Sequence, residues 1–427
     1  WHGELDLDTV TLEQGKVGPA ADGGQNGSGS MDQTKVLHRP LFCVSFPLFF
    51  ISFALPVYAK SMGASALEIG GLFSVFTVSL LVIRPLVGVG LDRFGRRIFL
   101  ISALIIYGFA NIAFSFTTEL PGLYLARFTQ GLGASFLLIT IDTITADLTT
   151  PDNRAAAMGR NLEKQTRGAM IGTFMGFTLI GALPIAVAWK YSFIGYAVLA
   201  FVGAWFSANQ VPETRARDVE VMRGKPWRGV KLKPQLIRLM LVVFAAGFAS
   251  ALIQPIYLIY LQDKFTVDMG RLAAAFFPAA IVYMVLPSRL GTLSDRFGRS
   301  RVMALGMLAT GLMYASFPVL PNMIWLVILY TLSAVGSVMA DLAKTAMVGD
   351  IAGEEERGRI FGVYQLTAGI GASVGPLVGG WVYDHLGNHL PFYMNGALLI
   401  LSALWAARYL GSDAEAGSPS RESKQRI

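Results

Sequence analysis

Gly88-Val89-Gly90-Leu91-Asp92-Arg93-Phe94-Gly95-Arg96-Arg97 links two hydrophobic stretches by a very short polar loop, and it returns as Gly291-Thr292-Leu293-Ser294-Asp295-Arg296-Phe297-Gly298-Arg299-Ser300. The two leading glycines are 291 − 88 = 203 residues apart. The same offset pairs Asp147 with Asp350, Arg154 with Arg357, Gly159 with Gly362, Gly168 with Gly371, Gly172 with Gly375 and Gly176 with Gly379. One matching loop can arise by chance, but this many matches in one register mean two structurally equivalent halves. Function is then to be sought between the halves.

Composition says what kind of halves they are. Of 427 residues 53% are hydrophobic and only 15% are charged, well under the charged share of a soluble domain. A bilayer-spanning helix needs about twenty apolar residues, and twelve such stretches fit. The first half holds 41–59, 66–91, 97–117, 121–147, 156–184 and 188–208; the second holds 236–261, 270–293, 301–320, 323–350, 358–386 and 390–410. The expected fold is an all-α integral membrane protein of twelve helices in two pseudo-symmetric six-helix halves, with the lipid bilayer as its surroundings. The net charge of +7 reflects Lys and Arg gathered in alternate loops, a signature of membrane orientation rather than of nucleic-acid binding. Cys43 is the only cysteine, which leaves no internal disulfide and no cysteine-based metal cluster; no cofactor is expected.

The polar, glycine-rich residues 1–30 end in Gly27-Ser28-Gly29-Ser30 before Met31 and read as a linker or disordered extension. The first half is expected over 31–208 and the second over 236–410, joined by a basic linker over 209–235 and followed by a polar tail over 411–427. The charge of the linker puts it, both termini and the two repeated loops on the cytoplasmic side of the plasma membrane. Leu55-Pro56-Val57-Tyr58 is echoed by Gln254-Pro255-Ile256-Tyr257. Each proline either breaks its helix beside the pathway or ends it near the interface.

The repeated loop, written G-x-x-x-D-R-x-G-R-R, resembles the signature of the major facilitator superfamily of transporters, and the resemblance runs from about Leu41 to Leu410. In detail the chain looks most like the twelve-helix drug:proton antiporters, since Arg127-Phe128-Thr129-Gln130-Gly131-Leu132-Gly133-Ala134 resembles their R-x-x-Q-G-x-G-A motif. The resemblance implies a conformational latch formed by Gly88, Asp92, Gly95, Arg96 and Asp147, repeated by Asp295, Arg299 and Asp350. Spacing agrees, because Asp92 and Arg96 are four apart and share one helical turn. The antiporter glycine pattern is present as Gly371, Gly375, Pro376, Gly379 and Gly380, whose spacing also suits close helix packing. It stands in the eleventh helix, whereas antiporters carry it in the fifth; symport and facilitated diffusion therefore stay open.

Charges within spans need an explanation, because one arginine at a helix centre costs roughly 2.5 to 3.5 kcal/mol on insertion scales. Arg127 is the leading transport residue. Asp142 lies within about 60° of the same helical face but about 22 Å further along the axis. Arg160, Glu163, Lys164 and Arg167 form one stripe on the fifth helix, facing either the cytoplasmic mouth or the cavity. Asp341 and Lys344, three apart, either line the cavity or neutralise each other. Arg84 sits deep in the second helix with no partner evident in the sequence. Asp142 is the first candidate for proton coupling, with Asp341 second, and the stripe bearing Lys164 and Arg167 is the nearest source in sequence for a partner to Asp142.

No catalytic constellation appears. The expected activity is alternating-access transport of a small amphipathic organic molecule, with protons as the coupling partner, efflux as the direction and a monomer as the unit. The alternatives are transport of an organic anion or lipid-like acid, and a receptor that binds ligand without moving it.

Overall fold

A computed structural model describes residues 33–214, 234–265, single positions between 278 and 290, 297–351 and 357–409, with backbone alone at 92, 151, 152, 155 and 357–359. The extension over 1–30, most of the linker and of the eighth helix, and the tail lie outside the described residues, as do Asp295 and the side chain of Asp92.

The first half consists of α1 Thr34–Ser61, α2 Ala66–Phe94, α3 Arg96–Phe116, α4 Leu120–Asp147, α5 Pro151–Ala182 and α6 Ile185–Gln210. In the second half, α7 Pro234–Phe265 is followed by α8 at the described positions of 278–290. Then come α9 Arg299–Ser316, α10 Met323–Ile351, α11 Arg357–His385 and α12 Leu390–Tyr409. Among the described residues nine helices are long and apolar enough to cross a bilayer; α4 and α5, which carry Arg127 and the charged stripe, are not among them. The two proline motifs behave differently. Pro56 lies inside a continuous helix, whereas α7 is interrupted at 254–256, around Pro255. The interruption of α1 falls earlier, just before Pro47.

Glycine spacing sets how the helices pack. A Cβ at Gly168 or Gly172 of α5 would strike the carbonyl of Phe42 or Phe46 of α1. A Cβ at Gly371, Gly375 or Gly379 of α11 would strike the carbonyl of Phe244, Phe248 or Leu252 of α7. Backbone thus meets backbone at equivalent places in both halves. Each half also holds an aromatic cluster. Trp189 stacks on Tyr58 at 4.1 Å and donates its indole N–H to the Phe114 carbonyl, while Phe392 packs with Tyr257, Tyr260 and Phe317. Phe114 and Phe317, and likewise Trp189 and Phe392, again stand 203 apart.

Candidate functional site: two faces and the charges between them

Two tight loops define one face of the bundle, here the signature face. Gly95 and Gly298, at φ +95° and +90°, reverse the chain in a conformation that favours glycine. Arg96 then reaches Asp147 at 3.3 Å, and Asp147 also accepts from the Thr214 hydroxyl at 2.8 Å. Glu213, which the sequence reading did not single out, accepts from the backbone N–H groups of Arg96 and Arg97 at 2.8 and 3.1 Å, where a carboxylate suits the start of α3. In the second half Arg299 pairs with Asp350 and donates to the Ala346 carbonyl. Both arginine–aspartate pairs lie within their own halves.

Among the described residues the halves meet mainly along α2 and α11. Contact starts where Gly380 abuts Ala66 and Leu67, continues where Gly70 abuts Pro376, and reaches Leu81 beside Gly369. Beyond that point the helices part. Space around Gly88 is open to 4 Å, and Val82, Leu86 and Val89 are 63%, 67% and 71% exposed. Among the described residues the seam between α2 and α11 is therefore closed at the far face and open toward the signature face.

Polar ties reinforce the closed end. Lys60 at the end of α1 forms an ion pair with Asp263 at the end of α7, and Asp263 also accepts from the Tyr383 hydroxyl at 3.0 Å. Asp384 of α11 accepts from the backbone N–H groups of Ala66 and Leu67 at 3.1 and 2.8 Å. It thereby caps α2 from the opposite half, at the helix end where negative charge is favoured. None of Asp263, Tyr383 and Asp384 was singled out from sequence. The available signal was that these polar side chains stand at the far ends of α7 and α11.

Arg127 is buried, with its Nε donating to the Leu72 carbonyl at 3.2 Å and its Nη1 to Gln130 at 2.8 Å. Its guanidinium lies over Phe73 and Phe76, 4.7 and 4.8 Å from the ring centroids. Such contacts are worth about 2 kcal/mol or more when desolvated. The structure thus places this arginine as a brace between α2 and α4.

Asp142 is exposed and borders a cavity of about 140 Å³ with Asn161 and Gln165. Its opposite charge is Arg84 of α2, which interacts with it electrostatically. The sequence reading had looked instead to Lys164 and Arg167. At 100° per residue, those side chains point away from the face of α5 that carries Met158, Asn161, Leu162 and Gln165 toward Asp142. Within the stripe, Arg167 pairs with Glu163 at 2.5 Å.

On α10 Lys344 holds Asp341 at 2.7 Å, and the two side chains are 11% and 64% exposed. Leu138 and Asp142 on α4 correspond by the 203 offset to Asp341 and Thr345 on α10, and all four are exposed. Each of these equivalent faces therefore presents one carboxylate. Among the described residues no cluster of His, Cys, Asp or Glu is arranged to hold a metal ion.

The chain matches the family model described as Major Facilitator Superfamily over residues 41–285 and 239–426. Multidrug resistance protein 2 of Bacillus subtilis (strain 168) is 24% identical over 354 residues, covering 81% of this chain and 87% of that protein. Chromaffin granule amine transporter of Homo sapiens is 24% identical over 346 residues, covering 79% of this chain and 64% of that protein. Among solved structures, a D-xylose-proton symporter superposes with a TM-score of 0.72 at 14% identity, covering 90% of this chain and 98% of that one.

Proposed function

Starting from a chain that belongs to the Major Facilitator Superfamily, we propose proton-coupled export of cationic amphiphilic molecules across the plasma membrane by a monomer. The chain is a multi-pass membrane transporter and not an enzyme; it moves small organic substrates by alternating access. The observation carrying the cationic reading is that the exposed charges on the equivalent faces of α4 and α10 are the carboxylates of Asp142 and Asp341. Of the cations whose excess favours an organic anion, Arg84, Arg127, Lys164, Arg167 and Lys344, four face other groups: Lys344 meets Asp341, Arg167 meets Glu163, Arg127 meets Gln130 and two rings, and Arg84 faces Asp142. Similarity to a multidrug resistance protein and to an amine transporter supports the same class.

In this reading the boundaries of the halves are 31–208 and 236–410, and the basic loops put the signature face and both termini in the cytoplasm. Asp92 and Asp295 join the arginine–aspartate pairs as a latch when that face closes. Asp142 leads as the proton site, because Lys344 holds Asp341 while no direct ion pair to Asp142 occurs among the described residues. The test is ethidium flux in proteoliposomes with and without a pH gradient, for wild type, Asp142→Asn and Asp341→Asn. Gradient-driven flux lost in Asp142→Asn supports the assignment; loss in Asp341→Asn alone reverses the order. Flux of an organic anion but not of ethidium would replace the substrate class, and binding without flux would make the chain a receptor.

A further inference from the structure

The stripe on α5, which transport leaves unused, lines a groove of about 780 Å³ near the signature face. The groove is bounded by α1, α5 and α6, with Phe42, Cys43 and Phe206 as its apolar lining. Around that lining stand Lys35, His38, Arg39, Arg160 and Lys164; the one acid among the described lining residues is Glu163, which is already paired with Arg167. Arg39 lies over the Phe206 ring at 5.3 Å. His38 Nε2 and Arg160 Nη2 are buried and have no hydrogen-bond partner among the described residues. Among the described residues the contacts between the halves run along α2 and α11 and between α1 and α7, and every residue lining the groove belongs to the first half.

We propose that this groove binds the headgroup of an anionic phospholipid, with the phosphate at His38, Arg160 and Lys164 and an acyl chain along Phe42 and Phe206. A freely soluble anion would not need the apolar lining, and a neutral lipid would bring no net charge to Arg160 and Lys164. The buried Arg160 N–H group lacking an acceptor calls for a ligand rich in acceptor oxygens, and the neighbouring His38 Nε2 can donate to the same ligand when it carries the proton. The location suits such a lipid, since basic residues at a membrane boundary draw anionic headgroups.

The experiment is native mass spectrometry of the full chain, delipidated in detergent and titrated with phosphatidylglycerol or phosphatidylcholine. The expected result is preferential retention of phosphatidylglycerol. Retention should fall about fivefold for each cation removed in Arg160→Gln and Lys164→Gln, but not in Arg301→Gln on the other half. Equal retention of the two lipids, or insensitivity to the groove variants, overturns the proposal. Displacement of phosphatidylglycerol by millimolar inorganic phosphate would assign the site to a free anion. Binding seen only after E4Q, D6N, D8N and E13Q are combined would assign it to the acidic start of the chain itself. Ethidium flux measured in parallel keeps this result separate from the transport reading.

Discussion

Lys60 and Asp263 stand 203 residues apart, at equivalent ends of α1 and α7, and their side chains meet across the boundary between the halves. Two positions that the repeat makes equivalent have taken opposite charges and bind each other. Asp263→Asn is therefore expected to favour opening of the far face. Partly exposed ion pairs contribute about 0.2 to 1 kcal/mol, so the ratio of molecules with the far face closed to those with it open should drop by a factor of roughly 1.4 to 5. Distances between spin labels on the far ends of α1 and α7 would report it; an unchanged distribution would rule out a gating role for the pair.

Asp384 should matter more. Its carboxylate accepts from two backbone N–H groups at the start of α2, and charge-assisted bonds are roughly twice as strong as neutral ones. Asp384→Ala is expected to shift the same distances further than Asp263→Asn does, while thermal stability in detergent stays within a few degrees of wild type. A loss of stability without a distance change would make Asp384 a purely structural cap.

Gly379→Ala should destabilise the second half, because the added Cβ would lie 2.0 Å from the Leu252 carbonyl and overpacking costs typically about 1 to 3 kcal/mol. Gly88→Ala meets open space in this state. It should leave melting temperature unchanged yet slow transport, provided the latch closes around it. Fluorescence-detected melting and flux on the same preparations separate the two outcomes.

Arg127→Met should lower the melting temperature as well as transport. It leaves the buried Gln130 side-chain oxygen without its donor and removes a second hydrogen bond from the Leu72 carbonyl, and an unsatisfied buried polar group costs about 1 to 3 kcal/mol. A variant that melts normally but does not transport would restore a direct role in the pathway for this arginine.

The repeat made the twelve-helix architecture legible, because a rigid offset of 203 survives wherever backbone packing or loop geometry is constrained. It also paired Phe114 with Phe317 and Trp189 with Phe392, a signal present in the sequence but not followed. What stayed hidden is what joins unlike helices. The approach of Arg84 to Asp142 depends on how α2 crosses α4, and no spacing within one helix encodes that. Capping of α2 by Asp384 likewise depends on a contact between residues more than 300 positions apart. The surroundings of the stripe stayed open for a related reason: helical periodicity shows that four charges share a face, but the neighbours of α5 decide which way the face looks.

The close run of α2 against α11, from Ala66 to Leu81, has a mechanical consequence. It spans about 22 Å of a helix whose remaining length to Phe94 is about 20 Å, so the point where the two helices part, at Leu81 and Gly369, lies near the middle of α2. A fulcrum there gives two lever arms of similar length. One rotation that separates the far ends would then bring the signature ends together by a comparable distance, and the two faces exchange access without either half changing its internal packing.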